Sequence, residues 1–391
     1  MVSQPVEASS FSSSTTTTTI SNRANLKHKL SCLSASIADE ATPSNNNAKE
    51  ANPEADDDPS VNYFPHLPPY SDPKTGLLSH LPESLIPYGQ LMRLDKPAGL
   101  YAFYFPYLIG LSYSAALSPD QIPPSTLLHL ATVLLPFNVL LRGAACTWND
   151  TLDRRFDRKV ARCRHRPVAR GAVSPFHAHL FTASQLVMLF ALQQAFLPKE
   201  VVPHTVFMVF LFGVYAYLKR VTYYPQVELG VAFAWAVFFT VALFPFTKDK
   251  AARFGTGALF GSIILWTIVY DTIYAHQDIA DDEKAGVKGM ALLFKESSWL
   301  DAKNFSSILT LAMGGLLTYL GVVSDFGTVY FLGTVGGVLA TMAYYISSVD
   351  LKVPESCGIW FHRQFWIVGV GYVSGFVGEY MVRRGGFRGS Y

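Results

Sequence analysis

The sequence predicts an all-α, polytopic membrane protein: a bundle of about nine transmembrane helices. Half of the 391 residues are apolar and only 15% are charged, a composition typical of membrane proteins. The apolar residues also gather in long runs, each near the roughly 20 residues that a helix needs to cross a bilayer. These runs are apolar on nearly all sides, which argues against amphipathic surface helices.

The amino-terminal part of the chain is predicted to be a disordered tail over 1–80, followed by a membrane domain over 81–391. The tail is rich in Ser and Thr, with the run SSSTTTTT at 12–19, and lacks the apolar content of a folded core. Its first forty residues carry three basic and three acidic side chains. This is a weak match to a mitochondrial transit peptide and no match to a secretory signal. A transit peptide and a plain flexible tail both remain open.

Nine apolar runs follow from about Pro97, and each is predicted to form one transmembrane helix. The connections give the orientation, because Lys and Arg gather on one side of a membrane. Lys and Arg residues occur in the connections after spans two, four, six and eight and are absent from those after spans one and seven. The amino terminus and the even-numbered connections are therefore predicted to share the cytosolic or matrix-equivalent side. Lys248, Lys250 and Arg253 after span five contradict this rule, and so do Arg383, Arg384 and Arg388 at the carboxyl end. The predicted spans are 98–117, 125–147, 175–197, 203–218, 226–246, 256–275, 304–323, 327–348 and 363–382.

A polar stretch, NDTLDRRFDRKVARCRHRPVAR, directly follows the second apolar run. It places Asn149, Asp153 and Asp157 at i, i+4 and i+8, so a helix would project all three from one face. Carboxylate and amide oxygens suit Mg²⁺, which usually shares its coordination with substrate phosphates. Arg162 and Arg166, again four residues apart, suit the remaining phosphate oxygens. The stretch therefore predicts a magnesium site that binds a phosphorylated ligand.

A second acidic stretch, YDTIYAHQDIADDEK, ends the sixth apolar run. Asp271, Asp278 and Asp282 lie at i, i+7 and i+11, again one face of a helix, with Tyr274 on the same side. The connection parity places both acidic faces on the same side of the membrane. Two facing carboxylate sets suit more than one Mg²⁺ around a single diphosphate. The competing interpretation is a solvated loop in which arginines pair with neighbouring aspartates.

Three further cations are candidates for substrate contacts. Arg142 lies seven residues before Asn149 and shares its face. An arginine within a membrane run is costly, so we expect Arg142 to face a carboxylate or phosphate group of a substrate. Lys219 ends span four beneath Tyr215, and Arg93 precedes span one. Anchoring at the membrane interface is the competing role for these cations.

Several other function classes find no support. The patterns GxxxxGK[ST], HExxH and GxSxG are absent, which argues against P-loop nucleotide hydrolysis, zinc proteolysis and the usual serine hydrolases. A net charge of +2 gives no sign of a nucleic-acid partner, and no obligate protein partner is indicated. The four cysteines lack CxxC spacing, so neither a disulfide framework nor a zinc site is predicted. An ion-coupled transporter is an alternative, although its carboxylates would be expected near the membrane midplane.

These motifs resemble those of the UbiA superfamily of intramembrane aromatic prenyltransferases. The family pattern NDxxDxxxD matches Asn149–Asp157, DxxYAxxDxxDD matches Asp271–Asp282, and YxxxK matches Tyr215–Lys219. The likeness extends from RLDKP at 93–97 to PESCG at 354–358. It implies a helical bundle with a central cavity open to the lipid. It also implies Mg²⁺-dependent transfer of an isoprenoid from its diphosphate to a phenolic aromatic acceptor.

The resemblance implies roles for single residues as well. Arg142 would lie near the aromatic acceptor, and Tyr215 and Tyr274 would turn their rings toward a carbocation. The residues implied for the Mg²⁺-diphosphate and for catalysis are Asn149, Asp153, Asp157, Asp271, Asp278 and Asp282. Those implied for the diphosphate oxygens are Arg93, Arg162, Arg166 and Lys219.

Smaller features bear on the acceptor. YDTIYAHQD resembles the 4-hydroxybenzoate polyprenyltransferase branch of ubiquinone biosynthesis. RLDKPAGLYAFYFPYLIG and RHRPVARGAVS resemble fungal relatives that prenylate aromatic polyketides, and Lys288-Gly289-Met290 stands where ubiquinone enzymes usually carry Lys-Ser-Thr. We therefore expect farnesyl transfer to a phenolic acid or aromatic polyketide in meroterpenoid biosynthesis, with the ubiquinone enzyme as the alternative. For location, we expect an ER-like endomembrane rather than the mitochondrial inner membrane.

Overall fold

The computed structural model describes residues 61–118, 120, 122–244, 250–296 and 300–385. Every regular element in these ranges is a helix. Nine helical spans of this part of the chain are long and apolar enough to cross a membrane. The predicted all-α membrane bundle is therefore confirmed. Residues 1–60 of the expected tail and Arg388 lie outside the described residues.

The helices are numbered here in chain order, and most begin where the sequence supplies a helix start. Pro stands at the first helical position of α3, α5, α7 and α15, where its missing N–H costs nothing. The helices are α1 (Ile86–Leu91), α2 (Ala98–Leu117), α3 (Pro124–Leu152), α4 (Arg154–Arg158), α5 (Pro175–Phe196), α6 (Val202–Val221), α7 (Pro225–Ala234), α8 (Ala236–Ala242), α9 (Lys250–Ala275), α10 (Ile279–Ala285), α11 (Met290–Glu296), α12 (Ala302–Val323), α13 (Thr328–Tyr330), α14 (Gly337–Ser348) and α15 (Pro354–Arg384).

The predicted spans agree with these helices, with three differences. The fifth span consists of α7 and α8, which meet at Trp235. The eighth contains a π-helical turn at Phe331–Gly336 between α13 and α14. The ninth is α15, whose 31 residues begin well before the predicted start at 363. In the first case the helix is interrupted at Trp235, where the sequence has neither Pro nor Gly to indicate a break.

The bundle is built around α2, α9 and α15. The α2 span is 72% buried, whereas the α5 span is 22% buried, so α2 lies inside and α5 faces outward. The π-helical turn brings the chain against α15 with little between the backbones: a Cβ at Gly333 would lie 2.6 Å from the Cα of Gly375. Small residues permit this close approach between membrane helices.

The arginines at the carboxyl end, which contradicted the orientation rule, have a structural role. Arg383 pairs with the buried carboxylate of Glu379, Nε to Oε1 2.6 Å, and also donates to backbone carbonyls, including that of Ser324. Arg384 donates to the Ile122 carbonyl at 3.1 Å. These residues satisfy the open ends of neighbouring helices. Arg383 and Arg384 therefore stabilise the packing of the last helix against its neighbours.

Candidate active site

The first acidic stretch leaves the end of α3. The prediction of one continuous helix through Asn149, Asp153 and Asp157 is wrong, because α3 ends at Leu152 and α4 begins at Arg154. Backbone hydrogen bonds nevertheless bridge the break, Asp153 N to Asn149 O and Asp157 N to Asp153 O, both 2.8 Å. The i, i+4 and i+8 succession is therefore kept although the helix is interrupted.

The second acidic stretch is interrupted in a similar way. Asp271 lies on α9, but Asp278 stands in the turn before α10 and Asp282 lies on α10, so a single helical face is wrong here also. The N–H groups of His276 and Gln277 reach back only three residues, at 3.2 Å each. This tightening to 3₁₀ geometry ends α9. A pattern of i, i+7 and i+11 does not reveal such a turn.

The structure brings the two acidic stretches together. Arg162, which follows α4, binds Asp278 through two hydrogen bonds, Nε to Oδ1 3.0 Å and Nη2 to Oδ2 2.5 Å. Its Nη1 also donates to the Tyr274 hydroxyl at 3.0 Å. The backbone N–H of Ala161 donates to Asp281 Oδ2 at 2.9 Å. The loop after α4 is thereby attached to α10, and both stretches open at the same end of the bundle.

A polar cavity of about 190 Å³ lies between them. Five of the six residues predicted to bind metal line it, together with three of the four cations predicted to bind diphosphate. Tyr215 and Tyr274 line it as well. These acidic and cationic residues are Asp153, Asp157, Asp271, Asp278, Asp282, Arg162, Arg166 and Lys219.

Cations hold the carboxylates of this polar cavity. Arg166 Nη1 lies 2.9 Å from both oxygens of Asp157. Asp153 lies 3.3 Å from Arg220 and 4.0 Å from Lys219. Burial raises the pKa of the Asp157 carboxyl to about 7, in spite of the neighbouring guanidinium of Arg166. Burial, reinforced by Asp278, raises the pKa of Asp282 to about 7 as well. Burial therefore makes the ionised form of these two carboxyls costly, and a cation bound beside them would favour it.

A second cavity, of about 440 Å³, adjoins the polar one and is called here the inner cavity. The two cavities share Arg162, Arg166, Asp271 and Tyr274 in their linings. The rest of the inner cavity is lined in part by apolar side chains of α2 and α7, namely Ala102, Phe103, Leu229 and Phe233. A charged cavity and a partly apolar cavity therefore lie side by side.

Arg142 and Arg93 line the inner cavity rather than the polar one. Arg142 donates to the backbone carbonyls of Arg93 at 3.1 Å and Lys96 at 2.5 Å. Arg93 has a left-handed backbone, with φ of 57°, and its Nη2 lies 2.5 Å from Asp150. The turn before α2 is thus held by Arg142 and Asp150, and it positions Arg93 away from the polar cavity.

Asn149 is the one predicted metal ligand that is not among the described residues lining the polar cavity. Its side-chain oxygen Oδ1 is buried and has no hydrogen-bond partner, and the same is true of Asp150 Oδ2. Buried polar atoms without partners are uncommon in native structures and call for an explanation. The chemistry of both atoms fits a cation ligand.

Among the described residues, no group of three or more His, Cys, Asp or Glu side chains is close enough to hold a metal ion. Arg162 and Arg166 occupy oxygens of Asp278 and Asp157. The set of donors is nevertheless made of oxygens alone, which is the set that Mg²⁺ prefers. The residues therefore fit Mg²⁺ in chemistry, in a state in which the arginines have another partner.

The sequence interpretation overlooked several residues of the site. Asp150 pairs with Arg93 and lies 3.3 Å from Arg166. Arg220 pairs with Asp153, and Lys288 lines the polar cavity and donates its backbone N–H to the Lys219 carbonyl at 2.8 Å. Two of these residues stand next to residues that the sequence did single out: Asp150 follows Asn149, and Arg220 follows Lys219. Their position in the sequence does not indicate which side chains they pair with.

Residues 61–72, called here the strap, lie within the predicted tail and contact the loop after α4. The ring of Tyr70 lies 3.8 Å from the guanidinium carbon of Arg170 and 5.7 Å from the ring of His165. Arg164 donates to the Pro68 carbonyl at 2.9 Å, and Gln90 donates to the Tyr70 hydroxyl at 3.0 Å. For this described part of the tail, the expectation of disorder is corrected. Its aromatic residues supplied contacts that a Ser/Thr-rich composition concealed.

A helical membrane bundle that carries acidic and basic side chains at the mouth of a partly apolar cavity defines a class of protein. It is an intramembrane enzyme for a substrate with a charged head and an apolar tail. The chain belongs to the UbiA prenyltransferase family, whose model matches residues 103–368. The prediction of an intramembrane aromatic prenyltransferase is thereby confirmed.

Relatives come from fungi and from animals. The chain is 40% identical over 273 residues to the prenyltransferase ascA of Acremonium egyptiacum, covering 69% of this chain and 79% of the relative. It is 34% identical to the DMOA farnesyltransferase nvfB of Aspergillus novofumigatus, covering 75% and 93%. It is also 34% identical to the mitochondrial 4-hydroxybenzoate polyprenyltransferase of Bos taurus, covering 76% and 77%.

A solved structure shares the fold. It is a UbiA homologue from Archaeoglobus fulgidus bound to GPP and Mg²⁺, 18% identical, with a TM-score of 0.56. The likeness covers 76% of this chain and 100% of that one. At this identity the comparison establishes the arrangement of helices.

Proposed function

We propose that the protein transfers a farnesyl group from its diphosphate to a ring carbon of a phenolic acid or aromatic polyketide, as a Mg²⁺-dependent step of fungal meroterpenoid biosynthesis. The observation that carries this proposal is the pair of adjoining cavities. One holds carboxylates and cations, and the other continues between apolar side chains of α2 and α7. A diphosphate with an isoprenoid tail has the same division of polarity.

The diphosphate would replace carboxylates as the partner of the arginines. Arg162 binds Asp278 through two nitrogens, and Arg166 binds both oxygens of Asp157 through Nη1. Guanidinium groups bind phosphate oxygens in the same ways. Lys219 lines the same cavity and adds a third positive charge. An incoming diphosphate therefore frees carboxylate oxygens while it occupies the cations.

The freed oxygens are the proposed Mg²⁺ ligands: Asp153, Asp157, Asp271, Asp278 and Asp282 of the polar cavity, with Asn149 beside them. Solved homologues bound to a prenyl diphosphate and Mg²⁺ support this assignment. When bound, Mg²⁺ would neutralise the diphosphate and so favour its departure. Without a cation, the carboxylates would repel the diphosphate.

The chemistry then depends on residues around the allylic carbon. The C–O bond to diphosphate breaks, the electron pair stays with oxygen, and Arg162, Arg166 and Lys219 stabilise the charge that develops there. Tyr274 and Tyr215 line the cavity, and their aromatic rings would stabilise the allylic cation by cation–π interaction. An electron-rich ring carbon of the acceptor attacks, a C–C bond forms, and loss of the ring proton restores aromaticity. Exclusion of water by the bundle protects the cation.

The acceptor is assigned to the inner cavity near α2. Arg142, Arg93 and Lys96 line that end, and their positive charge suits the carboxylate of a phenolic acid. The name of the farnesyltransferase nvfB supports the choice of donor, and the fungal relatives support the pathway class. The ubiquinone enzyme is the second candidate, because a mitochondrial 4-hydroxybenzoate polyprenyltransferase matches over a similar length.

The test is mass spectrometry of products formed by membranes that contain the full chain. The membranes would receive Mg²⁺ and a mixture of geranyl, farnesyl, geranylgeranyl and longer polyprenyl diphosphates. The acceptors would be 4-hydroxybenzoate and a resorcylic acid. A farnesylated resorcylate beside unchanged 4-hydroxybenzoate supports the proposal. A polyprenylated 4-hydroxybenzoate would instead identify the ubiquinone enzyme.

For the organelle, we propose an ER-like endomembrane rather than the mitochondrial inner membrane. The first forty residues carry as many acidic as basic side chains, whereas transit peptides are rich in Arg and poor in acidic residues. Cell fractionation of the full chain tests this. Recovery in mitochondria would contradict it, and would also favour the ubiquinone enzyme.

A further inference from the structure

An outer cavity of about 520 Å³ lies between α3, α5 and α6, at a different place from the two cavities of the proposed active site. Its lining is almost entirely apolar, and several lining residues are small. At Gly213 an added Cβ would meet no atom within 4 Å, so this position faces open space. The lining residues used below are Ala183, Phe212 and Gly213.

Three packed aromatic rings lie between this outer cavity and the inner cavity. Phe103 lines the inner cavity, and Phe212 lines the outer one. Their rings stack with centroids 4.8 Å apart and planes 27° apart. Phe233 packs edge-on against Phe103 at 4.9 Å and lies 5.5 Å from Phe212. Three rings that are each at most 8% exposed form a closed partition.

We propose that this partition of Phe103, Phe212 and Phe233 is the end wall for the isoprenoid tail and sets the upper length of the donor. The inference rests on the proposed function, because it requires the diphosphate to bind at the polar cavity. From there the apolar tail runs along the inner cavity toward Phe103 and Phe233. A tail that exceeds the space before the rings has to displace them.

The rings form a rigid wall. Each is held by the other two, and buried aromatic side chains pack at the density of a crystal, so they cannot shift by the length of an isoprene unit without loss of contacts. Behind Phe212 there is space rather than packed protein. Shortening this side chain removes the ring that backs Phe103, so the Phe103 ring can move toward the outer cavity and lengthen the space in front of it. Shortening Phe212 therefore tests whether the rings limit the length of the donor. It should add room for a longer tail, and it removes no charged residue of the site.

The experiment measures kcat/KM for geranyl, farnesyl and geranylgeranyl diphosphates, with the full chain and an acceptor that it prenylates. We expect Phe212→Ala to raise the ratio of geranylgeranyl to farnesyl by about tenfold or more, as a changed hydrophobic pocket does. The milder Phe212→Leu should shift the ratio in the same direction by less. Phe210→Ala is the matched control, because Phe210 lies on the same helix and is 60% exposed; it should leave the ratio unchanged.

A second substitution tests the direction of the tail. Adding Gly213→Leu to Phe212→Ala fills the outer cavity from a position where the new side chain meets open space. The double variant should regain the donor preference of the unmodified protein. Ala183→Leu, which enters the same cavity from α5, should act alike.

Three results would overturn the proposal. The first is an unmodified protein that uses geranylgeranyl as well as farnesyl diphosphate. The second is an unchanged ratio in both Phe212 variants, and the third is loss of transfer from every donor in both of them. These results differ from failure of the proposed function, which would show as absence of transfer by the unmodified protein from any diphosphate.

Discussion

Arg162 and Asp278 form a two-pronged ion pair, with 2.5 Å between Nη2 and Oδ2, although they lie 116 residues apart in the sequence. The guanidinium of Arg162 also contacts the hydroxyl and the ring of Tyr274. One cation therefore joins the loop after α3 to the turn after α9. In the proposed mechanism this cation changes partner, from carboxylate to diphosphate, when the substrate binds.

Asp278→Asn is expected to reduce kcat by at least 10²-fold, the scale seen when a transition-state charge loses its partner. An amide keeps the shape but removes the negative charge that Mg²⁺ requires. Asp153→Asn should behave alike. Initial rates at increasing Mg²⁺ would check this, and Glu283→Gln is the control, because Glu283 is an exposed acid of the same stretch that pairs with Lys295. Near-normal rates in both aspartate variants would refute the site assignment.

Arg166→Lys should raise the KM for the donor diphosphate about tenfold and leave the KM of the acceptor unchanged. Arg166 Nη1 contacts both oxygens of Asp157 and lies 3.3 Å from Asp150. An ammonium group could replace this one nitrogen, but it lacks the other N–H donors of the planar guanidinium that would bind further phosphate oxygens. Steady-state kinetics with each substrate varied in turn measure the two constants. Arg363→Lys is the control, since Arg363 packs on the ring of Trp360. A rise in the acceptor KM alone would contradict the assignment.

The helices were predictable because composition and run length determine them. The span at 98–117 was predicted to the residue as Ala98–Leu117. The acidic residues were predictable because a site for Mg²⁺ and diphosphate requires clusters of oxygens, and the sequence shows two. Which arginine binds which carboxylate was not predictable, because Arg162 and Asp278 meet only through the packing of α3 against its neighbours. The role of Tyr70 was concealed by the polar residues around it.

Gly99→Ala should raise the KM of the aromatic acceptor severalfold while the KM of the donor stays constant. A Cβ at Gly99 would lie 2.7 Å from Nη2 of Arg142, so the guanidinium has to move. In the proposed mechanism this guanidinium faces the acceptor carboxylate across the inner cavity. Gly257→Ala is the matched control, because its Cβ would meet nothing within 4 Å. For an acceptor that lacks a carboxylate, Gly99→Ala and the unmodified protein should have the same KM. If the substitution raised the KM equally for acceptors with and without a carboxylate, the role of Arg142 would be refuted.

Gly375→Ala should destabilise the bundle by about 1–3 kcal/mol, the usual cost of overpacking. An added Cβ would collide with the backbone of Thr334 in the π-helical turn, and backbone cannot move aside as a flexible side chain can. Thermal unfolding in detergent measures the change. Gly315→Ala, on α12, meets nothing within 4 Å and should leave the melting temperature constant or raise it. Equal melting temperatures for the two variants would show that the helices separate more easily than the structure indicates.

Tyr70→Leu should raise the KM of the donor diphosphate severalfold with little change in kcat. Tyr70 holds Arg170 through its ring and Gln90 through its hydroxyl, and the backbone N–H of Arg170 bonds the carbonyl of Arg166 at 2.9 Å. Loss of the ring therefore loosens the turn that presents Arg166 to the diphosphate. Tyr70→Phe keeps the ring and should have a smaller effect, and Leu77→Ala, at a position 59% exposed, should have none.

Truncation separates positioning by the strap from a general effect on stability. Removal of residues 1–60 keeps Tyr70 and Pro68 with their contacts to Arg170, Gln90 and Arg164, so the KM of the donor should not change. Removal of residues 1–72 takes away Tyr70 together with the Pro68 carbonyl that Arg164 binds, and the KM should rise as in Tyr70→Leu. If both truncations lower kcat and the melting temperature alike without changing the KM, the strap stabilises the fold and does not position Arg166. A rise in the donor KM confined to the longer truncation would show that the strap positions Arg166 for the diphosphate. Without the strap the loop is more mobile, and ordering Arg166 when the diphosphate binds then costs conformational entropy.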